Sequence, residues 1–383
     1  MHDRHSFDEF DYVDHPDQWP AVIDELDKTR VLAVDTEADS MHSYIEKVCL
    51  VQLATDGDRA YVVDPLALPE LEALREPLGS SDVTVVFHGA DFDVTSLRRD
   101  FDFEFTQIFD TMVASQLLGD EKLSLRDLVE RYFGVVLAKA HTRADWGKRP
   151  LTRAELEYSY LDVAYLVELE QIQRDRLEAA DLSAEAEIEF VRLAGRAPVV
   201  REFDPHGWTR VKGSRDAPAV EQAILHALHA VRDVHARQLD RPLFKVLGNE
   251  SILRIAKARP TSRGALQDVK GVSSYASNRM GTEILAAVRL GIEREKAPPR
   301  PPKKSDPAKK LDHTAQKRLG RLRDWRGRVA DKARLTTLAI LPNYAMFEVA
   351  RVRPRTLDDL ECVAGVGRCR TEKWGNEILK LVR

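Results

Sequence analysis

The stretch VLAVDTEAD, residues 31–39, decides the fold. Val31 to Val34 form an apolar run, and Asp35 and Glu37 follow two positions apart. Side chains two apart on a strand share a face, so the two carboxylates stand side by side at the end of a core strand. Such a pair repels itself and loses hydration unless positive charge lies between its members. Three readings stay open from these residues alone: a structural accident, a hydrogen-bonded turn, or part of a ligand set for a divalent metal.

Outward from this stretch, VCLVQLATD and AYVVD read as two further strands, with DGD as the turn between them, and VTVVFHG (83–89) reads as another. Apolar residues recur at helical spacing from Phe92 to Arg99, Asp110 to Leu118, Leu123 to Tyr132 and Ala154 to Leu177. Strands followed by strand–helix alternation predict an α/β domain with a mixed sheet, ending near Phe190–Ala197. The chain of 383 residues is long enough for two or three domains, and 43% hydrophobic residues suffice for a core. No apolar run approaches the roughly 18 residues of a membrane span. The acidic beginning, MHDRHSFDEFDYVDHPDQWP, lacks the layout of a signal peptide. Cys49, Cys362 and Cys369 are odd in number and form no CxxC. They speak against a disulfide framework or a zinc site and fit a reducing cytoplasm, with Cys49 as core.

The net charge of −5 conceals a division. Residues 1–200 carry 20 Lys+Arg against 42 Asp+Glu, and the remainder carries 38 against 21. A basic half of that size points to nucleic acid or an acidic membrane face. It also contains a repeat. At a shift of 94 residues, ILRIAKARPTSRGALQDVKGV (252–272) lies over MFEVARVRPRTLDDLECVAGV (346–366), and GTEIL (281–285) lies over GNEIL (375–379). Upstream, Arg232 meets Arg326 and Asn249 meets Asn343. Two copies of one small helical domain are expected. The resulting division is 1–200, a connector 201–213, helical copies 214–294 and 311–383, and a Pro/Lys-rich linker 295–310.

More acids follow the first pair. HGADFD (88–93) puts Asp91 and Asp93 at a helix start, and YSYLD (158–162) puts Tyr158 and Asp162 on one helical face. Asp91 and Asp110 suit helix caps, and His88 suits a supporting role. Together, DTE at 35–37, HGAxxD at 88–93 and YxxxD at 158–162 resemble the three exonuclease motifs of the DEDD superfamily. TQIFDTMVASQLLG (106–119) and DWGKRPLTRAELEYSYLDVAYL (145–166) resemble ribonuclease D and the exosome's nuclear exonuclease, and the repeats resemble HRDC domains.

The resemblance implies an RNase H-like mixed sheet flanked by helices, followed by two all-α HRDC-like domains. It implies a 3′–5′ exoribonuclease working with two divalent ions, Mg²⁺ or Mn²⁺, and releasing nucleoside 5′-monophosphates. Asp35, Glu37, Asp93 and Asp162 would be the ligands, and Tyr158 would orient the attacking water. A related subclass has His where this chain has Glu157, so the tyrosine subclass is indicated. The implied partner is RNA, such as tRNA precursors and other structured RNAs with a free 3′ end. A cytoplasmic location is expected, with no membrane and no obligate protein partner. Arg149, Arg279, Arg368, Arg370 and Lys373 are candidate nucleic-acid contacts, the last three around GVGR (365–368). Against phosphate contact stand a salt bridge for Arg149 and a plain helix–helix turn for the glycines. DNA hydrolysis and a non-catalytic nucleic-acid-binding protein are the competing functions.

Overall fold

A computed structural model describes residues 10–68, 71–138, 144–200, 202–301 and 311–383. The expected linker 295–310 therefore falls largely outside the described residues. The chain divides into two compact units. One contains residues 1–38, 48–199 and 305–383, and the other contains 39–47 and 200–304.

The first unit holds the predicted mixed sheet. Its strands are β1 (Phe10–Val13), β2 (Val31–Ala38), β3 (Val48–Thr55), β4 (Ala60–Val63), β5 (Thr84–Phe87) and β6 (Ile108–Asp110), in the order β1-β4-β3-β2-β5-β6. β3 pairs antiparallel with β2 and β4, and the remaining pairs are parallel. Helices α1 (Trp19–Leu26), α2 (Arg75–Gly79), α3 (Asp91–Phe101), α4 (Thr111–Leu118), α5 (Leu125–Phe133), α6 (Arg153–Leu161), α7 (Leu166–Ala179) and α8 (Ser183–Ala194) complete the nuclease portion. β3 is buried along its whole length, which explains why VCLVQLAT shows no alternation of apolar and polar residues. The periodic run 154–177 proves to be two helices, broken at Asp162–Tyr165. Asp91 is not the cap of α3. Ala90 takes that place, and Asp91 pairs instead with Arg196 (2.6 Å).

The second unit carries the first helical copy, α9 (Ala219–Gln238), α10 (Leu243–Val246), α11 (Asn249–Ala258), α12 (Arg263–Gln267) and α13 (Ser274–Arg294). Residues 39–47 belong to it. Tyr44 donates its hydroxyl to Asp233 (2.8 Å) and its backbone N–H to Asp240 (3.0 Å). Arg300, at the start of the Pro-rich stretch, stacks over the buried Trp208 at 4.6 Å.

The second copy, in the first unit, is α14 (His313–Ala333), α15 (Thr337–Ile340), α16 (Asn343–Val352), α17 (Leu357–Glu361) and α18 (Gly367–Val382). The 94-residue offset recurs in a matched contact. Arg232 Nη1 donates to Leu247 O (3.1 Å), and Arg326 Nη1 donates to Leu341 O (2.7 Å). Left-handed residues end the matching helices at Arg259 and Arg353, and Gly271 and Gly365 share positive φ.

This second copy packs on the nuclease. Ala339, Leu335 and Leu338 join the nuclease core. Tyr344 donates to Glu189 (2.9 Å), and Arg192 lies over the Tyr344 ring at 5.1 Å. A Cβ at Gly365 would fall 2.3 Å from the Tyr344 ring, so the glycine turn serves close packing.

Candidate active site

Each site element has a local cause. Asp35 and Glu37 lie on β2, one of the two central strands. The turn from β5 into α3 passes through Gly89, at φ +82°, where a side chain would be strained. One buried carboxylate fixes this turn. Asp110 accepts from Gly89 N (3.2 Å) and Ala90 N (2.8 Å) while capping α4 through Met112 N (2.9 Å) and Val113 N (3.0 Å). Asp110 is thus a cap, as its sequence suggests, and also a brace for the segment that carries Asp93. His88 Nδ1 lies 2.9 Å from Thr111 Oγ1, at the same junction.

Asp93 is 6% exposed and accepts from Thr36 Oγ1 at 2.6 Å. Thr36 is a supporting residue that sequence reasoning passed over, although it lies inside the DTE motif. A capping box between Thr152 and Glu155 starts α6 and sets the phase of Tyr158. Asp162 occupies the C-cap of α6, one turn beyond Tyr158.

The four acids act on one another. Burial raises the pKa of Asp35 well above the usual carboxylate range, and Asp93, Asp162 and Glu37 raise it further. Burial, then Asp162 and Asp93, push Glu37 up to about 8. Asp162 rises to about 7 through burial and Asp93. Asp93 reaches about 6, raised by burial and restrained by the Thr36 hydroxyl. Tyr158 is held neutral by burial and by Asp162, Glu37 and Asp35. Asp35, Glu37 and Asp162 are only half-buried by surface area, so protein crowds them on one side and solvent reaches them on the other.

Among the described residues no three such side chains are already drawn to ligand distance of one point. The mutual pKa effects put these carboxyls within electrostatic reach of one another. Hard carboxylate oxygens raised by one another's charge are a donor set that fits Mg²⁺ or Mn²⁺.

The candidate phosphate contacts fare differently. Arg149 is fully engaged. Its Nε and Nη2 grip Asp64 (2.5 and 2.7 Å), Nη2 also donates to Cys49 O (2.9 Å), and Nη1 donates to Trp146 O (2.7 Å) and Lys148 O (2.8 Å). A guanidinium has five N–H donors, so none is left for phosphate. Arg149 instead anchors Trp146, whose ring stacks on Tyr158 at 6.2 Å.

Arg370 is 0% exposed and donates to Leu338 O, Ala339 O and Gly365 O. Lys373 is held by Asp181 and Glu185. Both were expected at a nucleic-acid surface; Lys373 instead ties the second copy to the nuclease, and Arg370 holds that copy's own carbonyls with Glu189 of the nuclease 3.7 Å away. Arg368 is exposed and pairs with Glu372 (2.7 Å), and Arg279 is exposed on α13.

Comparison with known proteins agrees with this architecture. Residues 10–178 match the 3′–5′ exonuclease family, and residues 221–288 and 315–382 each match the HRDC domain. The chain is 31% identical to an exosome complex component 10 homolog of Caenorhabditis elegans over 66% of its own length, but over only 29% of that longer protein. It is 32% identical to ribonuclease D of Gluconacetobacter diazotrophicus, over 70% of this chain and 68% of the relative. The crystal structure of Escherichia coli RNase D shares the fold, with a TM-score of 0.65 at 21% identity, over 97% of this chain and 98% of that one. With an exonuclease domain, two HRDC domains and this likeness across most of a curated relative, the chain belongs to the ribonuclease D family of 3′–5′ exoribonucleases.

Proposed function

We propose that Asp35, Glu37, Asp93 and Asp162 hold two divalent cations, Mg²⁺ or Mn²⁺, and that the chain removes nucleoside 5′-monophosphates from the 3′ end of RNA. One observation carries this reading: the Thr36–Asp93 hydrogen bond brings Asp93 to the strand of Asp35 and Glu37, and these acids raise one another's pKa together with Asp162, one helix turn beyond Tyr158. When bound, such ions supply the positive charge that offsets the phosphorus oxygens and the leaving 3′-oxygen.

The chain's own residues do the rest. The four acids give oxygen ligands and balance the charge of the ions. Thr36 and Asp110 fix Asp93 and its helix start. Tyr158 stays neutral, so its Oη accepts a hydrogen bond from the attacking water and orients it. Trp146, held by Arg149, keeps the Tyr158 ring in register.

RNA is the substrate we infer, on the strength of the ribonuclease D relatives. Trimming of tRNA precursors and other structured RNAs is the corresponding task. No described helix is long and apolar enough to cross a membrane, and the three cysteines are free, in keeping with work in a reducing cytoplasm. The test is 5′-labelled RNA and DNA of one sequence, incubated with protein and Mg²⁺, Mn²⁺ or EDTA. A ladder shortened stepwise from the 3′ end of the RNA, absent with EDTA, is expected. Internal cuts, or cleavage of DNA alone, would refute the reading.

A further inference from the structure

Gln52 lies in the middle of β3 and is fully buried. Both polar atoms of its side chain, Oε1 and Nε2, are buried without a hydrogen-bond partner. This is an expensive way to build a sheet centre, because a buried amide gives up its water and gains nothing in return. On the same face of β3, the residues two positions away are Leu50 and Ala54, so an apolar side chain would suit the location. The register supplies the missing reason. Gln52 stands directly opposite Asp35 on β2 and Val62 on β4. Opposite residues of an antiparallel pair share a face, with Cβ atoms about 4.5–5.5 Å apart. The orphaned amide is therefore the cross-strand neighbour of the first acid in the site, and a glutamine is long enough to reach it by changing rotamer.

We propose that Gln52 is a positioning residue for Asp35: its Nε2 donates to one carboxylate oxygen and so fixes the other toward a divalent ion. The inference rests on the reading of Asp35 as a metal ligand. Ligand carboxylates need such donors, because a carboxylate free to rotate presents its oxygens in many directions. An amide suits this task among four acids, since it donates a hydrogen bond without adding or removing charge. A lysine or arginine at position 52 would neutralise the acids and compete with the cation. The unpaired amide is then a cost in stability retained for the site.

The bland alternative is a tolerated core residue, and the two make opposite predictions for Gln52→Met, which keeps length and volume. In the full chain, we expect the thermal midpoint in EDTA to stay level or rise, because an unpaired amide is removed. We expect Mn²⁺ affinity, read by calorimetry, to weaken by about 10-fold or more, in the range known for groups that orient metal ligands. Gln52→Leu should behave alike and guards against a packing artefact of the methionine. In an Asp35→Asn background, Gln52→Met should change Mn²⁺ affinity no further, because the two act as one unit. Wild-type Mn²⁺ affinity in Gln52→Met and Gln52→Leu would overturn the proposal, as would a lower midpoint in EDTA for both. If the wild-type chain takes up no Mn²⁺, the reading of the four acids fails and the role of Gln52 falls with it. If the wild type binds and the variants bind equally well, only the inference about Gln52 is lost.

Discussion

Two aspartates of the nuclease portion, Asp64 and Asp35, are treated in opposite ways. Asp64 is 1% exposed. Burial alone would raise its pKa, but the Arg149 fork, the Tyr12 hydroxyl and the Leu66 backbone N–H more than reverse this, and its pKa falls. Asp35 is crowded by protein too, but Asp93, Asp162 and Glu37 add to the burial, the Thr36 backbone N–H offsets them only in part, and its pKa climbs. The same contrast runs through the unit. Glu185 and Glu189 receive Lys373 and the neighbouring arginines Arg192 and Arg370. Among the described residues, Asp64, Glu185 and Glu189 are met by cations, and no ion pair reaches Asp35, Glu37, Asp93 or Asp162. An acid set left without cations is what the proposed divalent ions would balance.

The sharpest way to break this contrast is to neutralise each kind of acid. Asp35→Asn, Glu37→Gln, Asp93→Asn and Asp162→Asn should each lower hydrolysis by roughly 10³-fold or more, since members of such a set fail together. Single-turnover assays on labelled RNA would measure this, and Asp91→Asn serves as the control with little loss. Next in size is Tyr158→Phe. It should slow the chemical step by about 10²-fold while Mn²⁺ affinity stays level, because the ring orients water and is not a ligand. A loss of Mn²⁺ affinity in calorimetry would move Tyr158 to the other side of the comparison.

On the paired side the effect falls on stability. Asp64→Asn leaves the Arg149 guanidinium without its charge partner and should cost about 3 kcal/mol in denaturant titrations. Asp35→Asn should do the reverse, raising the stability of the metal-free protein at neutral pH. A smaller effect is expected from Lys373→Ala, about 1–2 kcal/mol, through loss of the Glu185 and Asp181 contacts. That contact also bears on truncation. A fragment ending near residue 197 keeps every candidate catalytic group but loses Leu335, Leu338 and Ala339 from its core. Its melting temperature should drop well below that of the full chain.

The pairs were legible in sequence because strand spacing of two and helix spacing of four survive any tertiary arrangement, whereas the grouping of these acids with Asp93 came from the resemblance to the exonuclease motifs. Asp35 and Glu37 share a strand, and Tyr158 and Asp162 share a helix turn. The fates of Arg149, Arg370 and Lys373 were not legible. Their acceptors lie far away in sequence, as Asp64 lies 85 positions from Arg149 and Glu185 lies 188 from Lys373. A basic side chain near a glycine turn reads as a phosphate contact until its partner is known. Strands β1 and β6 escaped notice for another reason. At four and three residues, FDYV and IFD are held by their parallel neighbours β4 and β5 rather than by any periodicity of their own. The break between α6 and α7 also left no mark in the apolar spacing. Gln52 did leave one: a single amide inside the apolar run VCLVQLA.

The raised pKa values give the contrast a pH signature. A carboxylate whose folded pKa exceeds its unfolded value binds more protons when folded. Its contribution to stability is present below the unfolded pKa, near 4, and is lost as pH rises through about 6 for Asp93, 7 for Asp162 and 8 for Glu37. The chelated protein should therefore lose stability from pH 5 to pH 8, and Mg²⁺ should abolish most of that loss. Thermal melts in EDTA and in Mg²⁺ across this window would show it.

The central claim is that these four acids take up divalent cations, and calorimetric titration with Mn²⁺ at pH 6.5 tests it most directly. Run in two buffers of different ionisation enthalpy, it reads stoichiometry, affinity and proton release together. Two ions per chain and release of protons from the partly protonated acids are expected, with both lost or much reduced in Asp35→Asn. Equal binding in wild type and Asp35→Asn, or no binding in the wild type at millimolar Mn²⁺, would contradict it.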